Sequence, residues 1–196
     1  MPGSGFSVLF VCTGNICRSA MAERLLAARL RDSASVRLDG AGAVVVRSAG
    51  TRAVVGRAMS SQTRPRVRAF GGDPDGFVAT QLTEPMIAGA DLVLGLTQDH
   101  ATRITALDPS AFSRTFALLE FARAVEGSAA DGDPTDPARW RALTDRAVDA
   151  RRHGLLPPRA DDDIDDPYGR PDEAFDEMSR RLVPAIDILA GRRASA

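Results

Sequence analysis

The stretch from Phe6 to Leu30 leaves this chain few ways to fold. An apolar run (Phe6, Val8, Leu9, Phe10, Val11) leads into Cys12-Thr13-Gly14-Asn15-Ile16-Cys17-Arg18-Ser19. Apolar residues at helical spacing follow, Met21 with Leu25 and Ala22 with Leu26 and Leu30. A buried strand, a tight loop and a helix with one apolar face satisfy that order. The loop then lies where the helix presents unpaired backbone N–H groups and the positive end of its dipole, so an oxyanion belongs there. Cys12, first in the loop, feels the same field, which favours a sulfur anion and makes it a candidate nucleophile. Arg18, at the helix start, offers a planar charged fork to two phosphate oxygens. Gly14 and Asn15 suit positive-φ turns that aim successive N–H groups inward. Ser19 is placed to give its hydroxyl to the Cys12 sulfur.

A second chemical stretch, 159–171, reads Arg-Ala-Asp-Asp-Asp-Ile-Asp-Asp-Pro-Tyr-Gly-Arg-Pro. Phosphoryl transfer from a monoester to Cys12 needs a proton for the leaving oxygen, which a carboxylic acid on a nearby loop can supply. Asp166 stands directly before Pro167 and is therefore held extended, which limits where its carboxyl points. Asp165 is the competing candidate. Asp161, Asp162 and Asp163 read as solvated, their repulsion favouring the protonated form of the acid. The run lacks the regular glycine and distal glutamate of a calcium loop. His100 and His153 are isolated, with no second ligand at metal spacing, so neither a metal nor another cofactor is expected.

The remaining segments fill in a sheet. Residues 44–50 and 91–96 and the run 115–118 read as further apolar strands, with helices predicted within 60–70, after Thr83 as N-cap, after Thr97 as N-cap, and over about 119–126. Four strands alternating with helices imply an α/β fold, an open four-stranded parallel sheet with helices on both faces and ligand at the carboxyl ends of the strands. Residues 127–137 form an acidic linker rich in turn formers, and Trp140, Leu143, Ala147 and Val148 mark one face of a helix beyond it. Phe175, Met178, Leu182, Ile186 and Leu189 trace a closing helix with a kink expected at Pro184. The arginines at 52, 57, 64, 66 and 68 read as a solvated face, with substrate docking the alternative.

At 196 residues the chain suits a single domain, 1–196. No apolar run approaches the roughly 20 residues of a membrane span, and no basic region precedes the first one, so a cytoplasmic protein away from the membrane is expected. Gly3 and Gly5 lie before the first strand, where a dinucleotide fingerprint would not have them. Two cysteines in one loop are too few for a secreted disulfide framework. The net charge of −1 supplies no field for nucleic acid. Every one of the 25 basic residues other than histidine is arginine, a composition that points to a GC-rich, bacterial genome.

The segment from Val11 to Ser19, followed by Met21-Ala22-Glu23, resembles the phosphate loop of the low-molecular-weight protein tyrosine phosphatases of bacterial type. Asp166-Pro167-Tyr168-Gly169 is similar to the loop that carries that family's general acid. The resemblance implies a flavodoxin-like or Rossmann-like sheet and a phosphatase acting through a cysteinyl-phosphate. It implies Cys12 as nucleophile, Thr13, Gly14, Asn15, Ile16, Cys17 and Arg18 as phosphate-binding, and Asp166 as acid. Ser19, Ser48 and Tyr168 support the site, Ser48 from behind the loop as a partner for Asn15. It implies as partner a phosphotyrosine protein or another aryl phosphate, with a cognate bacterial tyrosine kinase among the candidates, and a monomer or weak dimer. Relative to compact members, the linker and helix at about 127–158 stand as an insertion. The chain departs from the family in having Ala53-Val54-Val55 where an aromatic often flanks the substrate ring. Phe77 stands where some relatives have a histidine that braces the loop, which predicts a looser loop. Cys17 lies within reach of Cys12 for a reversible disulfide, or is simply a packed small residue. Three alternatives remain on this scaffold: an arsenate reductase, which would need an external thiol partner; a protein-arginine phosphatase, whose members carry Thr at the position of Ile16; and a catalytically silent phosphate-binding module.

Overall fold

The computed structural model describes residues 5–33, 43–128 and 131–192. The lead-in Gly3, most of the segment 32–42 and two residues of the linker lie outside them. Strand β1 (Phe6–Cys12) is central, flanked by β2 (Val44–Gly50) on one side and by β3 (Leu92–Gly95) then β4 (Thr115–Ala117) on the other, all parallel. The pleat of β1 sorts its side chains: Phe6, Val8 and Phe10 enter one hydrophobic cluster, Leu9 and Val11 the other. A strand buried on both faces must be apolar at every step, which is why this run does not alternate.

The larger cluster is closed by α1 (Arg18–Ser33), α5 (Leu118–Val125), α6 (Pro137–Arg152) and α7 (Asp172–Leu189). The smaller lies under α3 (Glu84–Ala88) and α4 (Gln98–Leu107), with Ile87 and Ile104 fully buried. The remaining helix, α2 (Thr63–Ala69), packs beside α1. Arg29 of α1 bonds Asp187 of α7 at 2.7 Å, tying the first and last helices together. The expected parallel sheet with helices on both faces is thus the fold observed.

Details differ from expectation where tertiary contacts take over. Thr83 precedes α3 in extended conformation but makes no side-chain cap bond, whereas Thr97 does cap α4, accepting from the His100 N–H at 3.2 Å. Helix α7 runs through Pro184, which lies on its exposed face. Helix α6 joins the common core: Trp140 is fully buried, stacks on Phe6 at 5.9 Å between ring centroids and donates its indole N–H to Pro134 O at 2.8 Å. Replacing Trp140 by Ala should therefore cost about 3–5 kcal/mol in urea unfolding, with the transition remaining single. Two separated transitions would show that α6 is not part of the cooperative unit.

Candidate active site

Cys12 ends β1 and Arg18 begins α1, so the intervening loop closes over the carboxyl end of the sheet. Its carbonyls are bonded outward to the segment that follows β2. Cys12 O accepts from Thr51 N–H at 2.8 Å, Thr13 O from Arg52 at 3.0 Å, Gly14 O from Val54 at 3.0 Å and Ile16 O from Ser60 at 2.9 Å. In a planar trans peptide the N–H points opposite the preceding C=O. The amides of Thr13, Gly14, Asn15 and Cys17 are thereby turned to the other side, toward the cavity. This close approach requires Gly50, where a Cβ would stand 2.5 Å from Thr13 O.

Among the described residues Asn15 is the one non-glycine with positive φ, at 53°. Gly14 was expected to share that conformation and does not; a Cβ there would meet only ordinary contacts. The strain at Asn15 is held by its own side chain, which is fully buried. Its amide donates to Ser19 Oγ (2.9 Å) and Ser48 Oγ (2.8 Å), and its carbonyl accepts from Thr80 N–H (2.8 Å). Ser48 passes its hydroxyl to Glu23 at 2.6 Å. Burial raises the Glu23 pKa, with the Ser48 bond opposing. The expected Ser48–Asn15 contact is therefore present. Phe77 does not leave the loop unbraced: it is buried beneath the Arg24 guanidinium, 5.5 Å from the ring centroid, while the serines and Thr80 hold Asn15.

Cys12 Sγ lies 2.9 Å from Ser19 Oγ. Cys17 is also a free thiol; it lines the same cavity and donates to Ser60 Oγ at 3.4 Å, and burial pushes its pKa up. Arg18 is buried; one nitrogen donates to Ile164 O at 3.1 Å and another pairs with Asp166 at 2.5 Å. Arg18 Nε is buried with no hydrogen-bond partner among the described residues. Asp166 also accepts from Tyr168 N–H at 3.2 Å, closing a turn before the exposed tyrosine. Asp165 instead faces Arg170 at 3.7 Å and is largely exposed. A cavity of about 370 Å³ brings together Cys12, Thr13, Arg18, Asp166 and Tyr168.

Three expectations need correction. Asp162 is not solvated but buried against Arg123, both carboxylate oxygens within 3.1 Å of the same nitrogen. Asp163 accepts from Gln98 N–H at 2.6 Å, at the start of α4. Neither charge is an idle repulsive neighbour of Asp166. His100 is no isolated histidine: it is buried, with Nε2 3.0 Å from Thr13 Oγ1 and Nδ1 2.8 Å from Thr97 Oγ1. Sequence spacing from Thr97 could have shown the second contact, but the first spans 87 positions and arises only from topology. Of the arginines, Arg52 lines the cavity with Val54, whereas Arg64 and Arg68 pair with Asp75 and Arg66 with Asp176. Among the described residues, no group of three or more His, Cys, Asp or Glu is arranged to hold a metal, and no helix is long and apolar enough to cross a membrane.

Comparison with known proteins now bears on this geometry. Residues 7–148 match the family model described as low molecular weight phosphotyrosine protein phosphatase. The chain belongs to that family. It is similar to the low molecular weight protein-tyrosine-phosphatase Etp of Escherichia coli K12, 33% identical over 109 residues, a match spanning 56% of this chain and 66% of Etp. It is 34% identical over 136 residues to a protein-arginine-phosphatase of Geobacillus stearothermophilus, covering 68% of this chain and 84% of that one. Among solved structures, a low molecular weight protein tyrosine phosphatase from T. tengcongensis superimposes with a TM-score of 0.66 at 27% identity, over 94% of this chain and 97% of that chain.

The pH response of His100 tests the site's packing in this family member. Burial first, then the nearby Arg18 charge, lowers its pKa from 6.5 to about 4, so the folded protein holds a neutral ring. The unfolded chain takes up that proton below pH 6.5, hence stability is full above 6.5 and falls as pH drops toward about 4. His100→Asn should flatten that fall relative to wild type, by on the order of 3 kcal/mol at most. Parallel pH profiles of unfolding free energy would contradict the buried neutral state.

Proposed function

We propose that this family member hydrolyses aryl phosphomonoesters, phosphotyrosine on proteins foremost, through a phosphorylated Cys12. The observation that carries the reading is the convergence of a sulfur, a ring of inward amides, a buried guanidinium and a carboxyl on one cavity. Cys12, as thiolate accepting from Ser19, attacks phosphorus in line with the leaving oxygen. The amides from Thr13 to Arg18 take the equatorial oxygens, where charge is held in the transition state. Arg18 supplies its fork: the unpartnered Nε takes one oxygen, and the nitrogen now on Asp166 takes another. That exchange frees the Asp166 carboxylate to take up a proton from solvent, which it then delivers to the departing phenolate. The P–O bond to the phenolate breaks as the S–P bond forms. A water then attacks phosphorus, Asp166 accepts its proton, and inorganic phosphate leaves with the thiolate restored.

Tyr168 on one wall and Ile16 and Val54 on the others give the cavity apolar surfaces suited to an aromatic ring. The relative named as an arginine phosphatase keeps phosphoarginine as the second reading; Ile16, in place of the Thr of such members, favours the ring. A thiol relay of the arsenate reductase kind would need an outside thiol, since the sequence has two cysteines and both are in this loop. A catalytically silent module would have no use for the Asp166 carboxyl beside Arg18. In this reading the partner is a phosphotyrosine protein, a cognate bacterial tyrosine kinase included, and the thiolate acts in the reducing cytoplasm.

Cys12→Ser should lower p-nitrophenyl phosphate turnover by at least about 10⁴-fold while leaving phosphate binding in place. A retained rate would end the proposal. Asp166→Asn should reduce kcat/KM for phosphotyrosine roughly 10²-fold or more, and far less for dinitrophenyl phosphate, whose leaving group needs no proton. Faster release from phosphoarginine than from phosphotyrosine by the wild type would instead favour the second reading.

A further inference from the structure

Resting on the phosphatase reading, one question is what holds the two reacting loops in register, since Cys12 and Asp166 come from distant parts of the chain. Direct contact between them runs through Arg18, which the substrate must take over. Something independent of Arg18 has to keep the carboxyl within a fraction of an ångström of its working position.

The start of α4 is bonded to both loops. Thr97 caps the helix and its hydroxyl meets His100 Nδ1, fixing the imidazole so that Nε2 reaches Thr13 Oγ1 in the nucleophile loop. The neutral ring carries one proton, so one nitrogen donates and the other accepts. From the same turn, Gln98 N–H donates to the Asp163 carboxylate at 2.6 Å, an anion at a helix N-terminus and a charge-assisted bond. Just before the helix, Leu96 O accepts from Ile164 N–H at 2.9 Å. Ile164 is fully buried and stands two residues before Asp166, so its placement passes along a short stretch of backbone to the carboxyl. Gly95 permits this packing: a Cβ there would lie 2.8 Å from Ala101 N and 3.0 Å from His100 Cβ.

We propose that the first turn of α4 sets the register between the nucleophile loop and the acid loop, with His100 and Asp163 as its positioning residues. His100 acts through Thr13, whose peptide follows the nucleophile. Asp163 acts through Ile164 and Asp166. Neither touches the ester.

The two tethers have separate kinetic signatures. Losing the Asp163 tether lets the acid drift, which harms only reactions that need a proton on the leaving oxygen. Asp163→Ala should lower kcat/KM for phenyl phosphate roughly tenfold and for dinitrophenyl phosphate less than about twofold. Asp163→Asn keeps an acceptor for Gln98 N–H and should restore both. Losing the His100 tether loosens the anion cradle, so His100→Leu should slow both esters by the same factor, roughly tenfold. Because His100 acts through Thr13, adding Thr13→Val to His100→Leu should cost little beyond either single change. Thermal melts of each variant identify any that fails to fold; Asp163 and Thr13 are partly exposed and carry the test if His100→Leu does not fold.

Equal slowing of both esters by Asp163→Ala, no slowing at all, or multiplying losses in the His100 and Thr13 pair would overturn the proposal. Asp166→Asn, run alongside, separates its failure from that of the phosphatase reading. If that variant discriminates between the esters and Asp163→Ala does not, the tether is wrong and the acid stands. If Asp166→Asn itself slows both equally, the acid assignment falls and the tether with it.

Discussion

A cradle made of backbone amides is stable only when the carbonyls on the reverse side of the same peptides have partners of their own. Here those partners are the N–H groups of Thr51, Arg52, Val54 and Ser60, brought against the loop by the parallel pairing of β1 with β2. Without that strap the peptides would be free to turn, and a buried donor left unmatched costs about as much as a hydrogen bond is worth. The Asn15 network and the close passage at Gly50 serve the same requirement. Specificity for an anion is in this sense a property of the sheet's register.

The electrostatics of the cavity explain why the groups stay near one another before substrate arrives. Arg18 is almost fully buried, and a guanidinium in that position needs a counter-charge or a set of acceptors. Ile164 O and the Asp166 carboxylate provide them, while Nε remains unmatched. A bound phosphate dianion would satisfy the whole fork. In the proposed reaction the ester enters a site whose charge balance is already poised to exchange one anion for another, a local form of preorganisation.

The β1–loop–α1 unit was readable in the amino-acid order because each part is local: apolar run, cysteine, arginine, helical spacing. Asp166 was readable for the same reason, through its proline and tyrosine neighbours. What could not be read was anything whose meaning depends on a partner far along the chain. His100 looked like a lone histidine because Thr13 is brought to it only by strand order, and Asp162 looked solvated because Arg123 sits on a different helix. Gly14 misled in the opposite way: its neighbour Asn15 takes the left-handed conformation, supported by side chains that no short window contains. Helix boundaries followed apolar spacing closely, whereas Thr83 had the right residue type for a cap and no bond to make.

The Arg29–Asp187 pair joins the first helix to the last, and Asp166, which lies just before that last helix, pairs with Arg18 at the start of the first. During synthesis the nucleophile loop leaves the ribosome long before the segment bearing Asp166 has been translated. On the proposed mechanism, a nascent chain therefore carries its nucleophile without its proton donor until the distal segment has been made. On that mechanism, turnover requires residues from both ends of the chain to be in place.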